Sequence, residues 1–148
     1  MPAQHPARLI AAALTARLAA LPQATANPPT LTAARYWRPP TFAREQLPTI
    51  PAALIIPADD LETIETRSTY DRQISIDLAI VAAVANVDPA TIDPLLDLAE
   101  ELITQARTLT DASGLTWTQT ARDNLALADA DPLARGAWFF VARLTYSR

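Results

Sequence analysis

Between Arg67 and Ala82 the chain reads RSTYDRQISIDLAIVA, and in its second half the apolar residues recur at every second position. Ile74, Ile76, Leu78 and Ile80 fall on one side; Ser75, Asp77, Ala79 and Val81 fall on the other. Successive side chains of a strand point to opposite faces, whereas a helix repeats every 3.6 residues, so this spacing predicts a strand. Residues 72–84 are the longest strand expected in the chain, with the Ile and Leu side turned to a core. A strand of that length needs strands beside it and a layer over its apolar face, which commits the chain to a covered sheet. What leads into it is polar: Arg67, Tyr70, Asp71 and Arg72.

Two segments have the period of a covering helix. In residues 7–21, Leu9, Ile10, Ala13, Leu14, Arg17, Leu18 and Leu21 recur at helical spacing, and Pro22 ends the run. In "DPATIDPLLDLAEELITQART", Asp88 is an N-cap candidate and Pro89 sits at the first helical position, where its missing N–H costs nothing. Ile92, Leu95, Leu96, Ala99, Leu102, Ile103 and Ala106 form the buried stripe of this second helix, and Asp93, Asp97, Glu100 and Glu101 its wet side.

The other strands are marked by punctuation. "PQATANPPT" reads as a loop and "LTAARYW" as a strand stopped by Pro39 and Pro40. Residues 39–51 hold Pro39, Pro40, Pro48 and Pro51, which makes them an extended arm. "AALIIPADDLETIETRS" has the look of a hairpin, with Leu54, Ile55 and Ile56 entering, a turn at Pro57, Ala58, Asp59 and Asp60, and Ile64 returning. "LTWTQTARDNLALAD" and "AWFFVARLTYSR" are two strands joined around Asp131, Pro132 and Gly136, with Trp117 and Trp138, Phe139 and Phe140 in the core. The expectation is one α+β domain over residues 1–148: a mixed sheet of about five strands with two helices packed on it, in the order α-β-β-β-α-β-β. At 148 residues, half of them hydrophobic, the chain suffices for one core.

Composition narrows the function. Absence of cysteine removes disulfides, thiolate metal sites and thiol catalysis. No run approaches the ~18 apolar residues of a spanning helix, and Arg8 and Arg17 interrupt the N-terminal apolar stretch, so neither an anchor nor a signal peptide is expected. With only Gly114 and Gly136, there is no glycine-rich phosphate cradle. His5, the only histidine, is expected as a solvated residue without a partner for acid–base work. Asp59 and Asp60 read as turn chemistry, and Asp93, Asp97 and Glu101 as a solvated face. No catalytic residue, cofactor or metal is expected, and the chain is not read as an enzyme.

Charge is distributed unevenly. Residues 1–44 hold five arginines and no acid, whereas residues 45–148 hold seven arginines and sixteen acids. A subunit polarised in this way favours directional pairing with a neighbour. Arg35, Trp37, Arg38, Phe42 and Arg44 interleave cations with aromatics. That pattern suits nucleic acid or protein, but a chain with a pI near 4.8 repels a polyanion, so a protein interface is the expectation. Arg67, Tyr70, Asp71 and Arg72 are assigned to the same role, fixing the register in which two subunits meet.

The phrases "ETIETRSTYDRQISIDLAIVA", the "DPATIDPLLDLAEELI" helix and the closing "ARLTYSR", in this order, resemble the tail terminator, or tail-completion, proteins at the head-proximal end of tailed-phage tails. The resemblance spans roughly residues 5–148. It implies a mixed sheet with helices on one side, and subunits joined in a hexameric ring that ends tail-tube growth and meets the head connector. Its partners would be copies of itself, the tail-tube protein and connector or neck proteins, and it would be assembled in the host cytoplasm into the virion. DNA would pass through an acidic lumen without specific binding, and no membrane would be involved. The proline-rich arm and the lack of Lys depart from the family pattern. A head-side neck adaptor is the alternative structural role, and a small α/β enzyme or regulator the alternative from another class.

Overall fold

The computed structural model describes residues 4–20, 32–38, 51–64, 70–86, 88–127, 132 and 136–148. It is an α+β arrangement of two helices, α1 (Pro6–Ala20) and α2 (Pro89–Gln105), with six strands. The strands are β1 (Thr32–Arg35), β2 (Ala52–Ile64), β3 (Tyr70–Ala83), β4 (Thr108–Thr110), β5 (Thr116–Ala126) and β6 (Ala137–Ser147). They form one mixed sheet in the order β1-β2-β3-β6-β5-β4, in which β1 and β2 are parallel and every other neighbouring pair antiparallel.

Both helices form where their spacing places them, α1 one residue earlier than expected. Ala7, Ile10, Ala11, Leu14 and Leu18 are buried along one stripe of α1; Leu21, expected to close it, lies outside the described residues. The Asp88 carboxylate accepts from the Thr91 N–H at 3.1 Å and caps α2, with Pro89 in the first turn. Ile92, Ala99, Leu102, Ile103 and Ala106 are buried, with Leu95 and Leu96 partly so. Both stripes join Ile74, Ile76, Leu78 and Ile80 in a single cluster, so the two helices cover the same face of β3. Trp117, Trp138, Phe140 and Tyr146 complete it. The Tyr146 hydroxyl donates to the Ala106 carbonyl at 2.7 Å, which ties β6 to the end of α2.

Two expectations about the strands are corrected. Residues 52–64 are not a hairpin but one strand, β2, paired with β3 from Ala52↔Val81 to Ile64↔Tyr70. The Pro-Ala-Asp-Asp segment is a bulge: the register passes from Pro57↔Ile76 to Asp59↔Ser75, leaving Ala58 as the extra residue. Proline has no N–H for the ladder and is tolerated at such a bulge, and the Asp59 carboxylate accepts the Asp60 N–H at 2.8 Å. The local bonds that make a turn here serve a kink instead. The sheet also has six strands and not about five, because Thr108–Thr110 pairs with Thr116–Thr118 as β4, giving the order α-β-β-β-α-β-β-β. The reversal between β4 and β5 is built on Gly114 at φ 86°, a left-handed conformation that glycine adopts at no cost.

The face of the sheet away from the helices is not uniformly wet. Leu54, Ile56, Ala79 and Val81 are buried in a second cluster against Tyr36, Phe139 and Val141. Beyond it the same face turns polar: Ser75 and Thr145 hydroxyls lie 3.1 Å apart, and Arg143 holds Asp77 through two bonds of 2.8 and 3.1 Å. The proline-rich arm proposed for residues 39–51 lies outside the described residues except for Pro51, which is buried.

Candidate functional site

The β2–β3 pair outruns the rest of the sheet. β6 pairs with β3 only from Gln73 onward, and β1 covers β2 only from Ala52 to Ile55, so among the described residues Tyr70 and Asp71 are paired with β2 alone, while the Arg72 carbonyl also accepts the Arg148 N–H at 3.3 Å. Every residue from Ala58 to Thr63 is exposed, including Leu61 at 55%. A bare two-stranded ribbon is marginal in water, and this one is clamped. Arg72, on β3, forks onto Asp60, on β2, with Nε to Oδ1 at 3.0 Å and Nη2 to Oδ2 at 2.6 Å.

His5 reaches the same carboxylate from the start of α1, with its Nε2 at 3.1 Å from Asp60 Oδ2. Its Nδ1 accepts the Ala7 N–H at 3.2 Å, so in the neutral ring the proton sits on Nε2, the nitrogen near Asp60. The ring thereby satisfies one of the free N–H groups of α1 and fastens that helix to the ribbon. The Arg72 guanidinium holds the Asp60 carboxyl below its ordinary range, burial opposing it, and the same bond raises Arg72. The expectation of a solvated, partnerless His5 is therefore corrected in part: the side chain is largely exposed, but Nδ1 accepts a hydrogen bond and Nε2 lies 3.1 Å from the Asp60 carboxylate. Asp60 is likewise a strand residue and not a turn residue.

Beside this clamp lies a cavity of about 860 Å³, bordered by His5, Leu9, Arg72, Leu115, Trp117 and Arg148 among others. The Arg148 guanidinium lies 5.2 Å over the Trp117 ring. Asp111 forms its far wall. Its carboxylate accepts from the backbone of Ser113 and Leu115 at 2.9 and 3.1 Å and from the Trp117 indole at 3.0 Å. Burial pushes this carboxyl up, but the bonds from Ser113, Trp117 and Leu115 together outweigh it and the group lies below its usual range. Among the described residues no group of three His, Cys, Asp or Glu side chains is arranged to hold a metal, and no helix is long and apolar enough to cross a membrane.

The residues expected at an interface are divided. Arg35, Trp37 and Arg38 stand on or just after β1, all exposed, with Arg35 5.9 Å from the Trp37 ring and donating to the Arg8 carbonyl at 3.3 Å. Arg72 lies at the far end of β2, and Asp71 pairs with Thr63 beside it. Tyr70 is the first residue of β3, opposite Ile64. Phe42, Arg44 and Arg67 lie outside the described residues. The set is therefore two groups at opposite ends of β2, and Arg72 is spent on its own chain. Sequence reasoning missed Asp60 and His5, since their pairing depends on a register and a helix position that no local pattern encodes. It also missed Leu61, Leu125 and Leu127, which are exposed leucines.

No known protein family and no curated protein matches the sequence. Twenty chains of solved structures match it. One of them aligns over 95% of this chain and 92% of its own at 16% identity with a TM-score of 0.49, which bears on no functional question.

Proposed function

We propose that this chain is a structural subunit of a phage virion, a ring at the head-proximal end of the tail that terminates tube growth and joins the tube to the head connector. The observation that supports it most is the β2–β3 ribbon. It is stiffened by Arg72 and Asp60, fastened to α1 by His5, and exposed from Ala58 to Thr63. Rigid projecting strands with their side chains turned out are suited to contact with another chain and to no chemistry of their own. The sequence adds a second support, since a basic first part and an acidic remainder favour head-to-tail contact, and a head-to-tail contact whose rotation closes gives a ring. In this reading six copies assemble, the tail-tube protein and connector proteins bind the two ring faces, and DNA passes an acidic lumen without sticking. Arg35, Trp37 and Arg38 form an exposed contact patch at the other end of β2.

The test is infection with the gene disrupted. Unjoined heads and tails of abnormal length are the expected products. Tails of normal length already attached to heads would overturn the assignment.

A further inference from the structure

The sheet has two half-covered edges, and they match each other. Among the described residues β2 is paired on one side only from Pro57 to Ile64, because β1 ends opposite Ile55. On the opposite border β4 covers only Thr116–Thr118, and Gln119 donates to the Arg107 carbonyl, so among the described residues β5 is paired only with β6 from Ala121 to Asn124 and at Ala126, with bulges at Thr120 and Leu125. Open edges present a row of hydrogen-bonding groups to any strand that fits. We propose that these two edges bind each other between neighbouring copies, β5 of one subunit adding to β2 of the next, so that the sheet runs on around the ring. This deepens the ring reading above and rests on it.

Three independent features agree. First, direction: β2–β3, β3–β6 and β6–β5 are each antiparallel, so β5 runs opposite to β2, and a second copy set beside the first continues the alternation. Second, side-chain facing: Glu62 lies opposite Arg72, two residues from the buried Ile74, and Arg122 lies opposite the buried Leu144, so both are on the helix-bearing side. Placing Glu62 across from Arg122 therefore keeps each face of the sheet continuous and sets opposite charges together. Arg122 bonds Asn124 through Nε and Glu100 through Nη1, which among the described residues leaves Nη2 for a further carboxylate. The same register puts the exposed Leu61 opposite Asp123, two residues from the bulge at Leu125, a second exposed leucine.

Third, stagger. Within one chain Arg122 stands level, through Leu144 and Ile76, with Pro57, whereas its proposed partner Glu62 is level with Arg72. The offset is the four ladder steps from Ile76 to Arg72, about 13 Å at ~3.3 Å per step, taken across the strands β2, β3, β6 and β5 at ~4.8 Å each. That slope corresponds to a strand tilt of about 35°, within the 35–45° at which strands close into a barrel. A register chosen for charge and facing thus gives the inclination that closure requires.

The chain has no cysteine, so a disulfide reports one contact only. Leu61→Cys with Asp123→Cys in the same chain, oxidised, is expected to give a ladder of covalent oligomers ending at the ring, while either change alone gives nothing beyond a dimer. In the unmodified protein, amide exchange across Thr120–Ala126 is expected to slow on assembly. A ring by native mass with no ladder and unchanged exchange would overturn the edge pairing and leave the ring reading standing. A protein that stays monomeric at all concentrations would overturn both.

Discussion

The two faces of the sheet are built on different principles. The helix-bearing face buries Ile74, Ile76, Leu78 and Ile80 completely, under α1 and α2. The other face changes character along its length: Leu54, Ile56, Ala79 and Val81 are packed at one end, and Asp77, Arg143, Ser75 and Thr145 lie at the other. Where the first face is apolar, beneath the helices, it is there to hold the fold. The second, apolar at one end only, leaves its remainder to contacts outside the chain, and here the polar end leads toward the projecting ribbon. Substitutions should therefore cost stability steeply on the first face and progressively less along the second.

The largest effect is expected for Leu14→Ala or Leu78→Ala, each fully buried under or beneath the helices. Truncation of a buried Leu leaves a cavity and costs ~2–5 kcal/mol, so urea midpoints should fall by a large fraction of the total. A midpoint within error of the parent would break the claim that α1 and β3 share one core. On the second face, Ile56→Val should cost only ~0.5–1.5 kcal/mol, the range for losing one methylene from a packed site. A loss equal to that of Leu14→Ala would erase the distinction between the faces.

Much of this division was legible in the sequence, and the reasons for the rest are specific. The period-2 run at 74–80 fixes the core side of β3, and the spacing of Ile10, Leu14 and Leu18 places α1, because both patterns are local consequences of backbone geometry. The burial of Ala79 and Val81 was not legible, since it depends on Leu54 and Ile56 arriving beside them in a register set by the bulge at Ala58. Pro57, Asp59 and Asp60 misled for a related reason. A carboxylate bonded to the next backbone N–H belongs equally to turns and bulges, and only the partner strand decides between them. Arg72, expected at an interface, forks instead onto Asp60 of its own chain, a partner that only the strand pairing brings beside it.

Acid should attack the ribbon and the Asp111 wall before the core. The folded Asp60 and Asp111 carboxyls both lie below their ordinary range, so the stability they contribute is present above about pH 4 and is lost as pH falls through their folded values. Stability should be flat from about pH 7 to 5 and fall below 4, and the fall should be shallower with Asp111→Asn. That variant should itself cost ~1–3 kcal/mol, since an amide cannot accept all the bonds from Ser113, Leu115 and Trp117. An unchanged slope below pH 4 would show that the carboxylate is not what holds the β4–β5 turn.

The smallest effect is expected at the polar end of the second face, where Arg143 and Asp77 form an ideal-looking fork yet remain 44% and 20% exposed. Solvent screens such a pair and its side chains lose freedom in forming it, so a double-mutant cycle with Asp77→Ala and Arg143→Ala should return a coupling of only ~0.2–1 kcal/mol, and less at 1 M salt. The neighbouring Asp59 and Asp123 also act on Arg143, so this cation faces three acids. Removing it should leave the monomer folded while making this surface more acidic, so any effect on assembly larger than the effect on stability would locate the contact here. A coupling of several kcal/mol would instead mean that the polar end is as much a part of the folded core as the helix-bearing side, and the contrast between the faces would not hold.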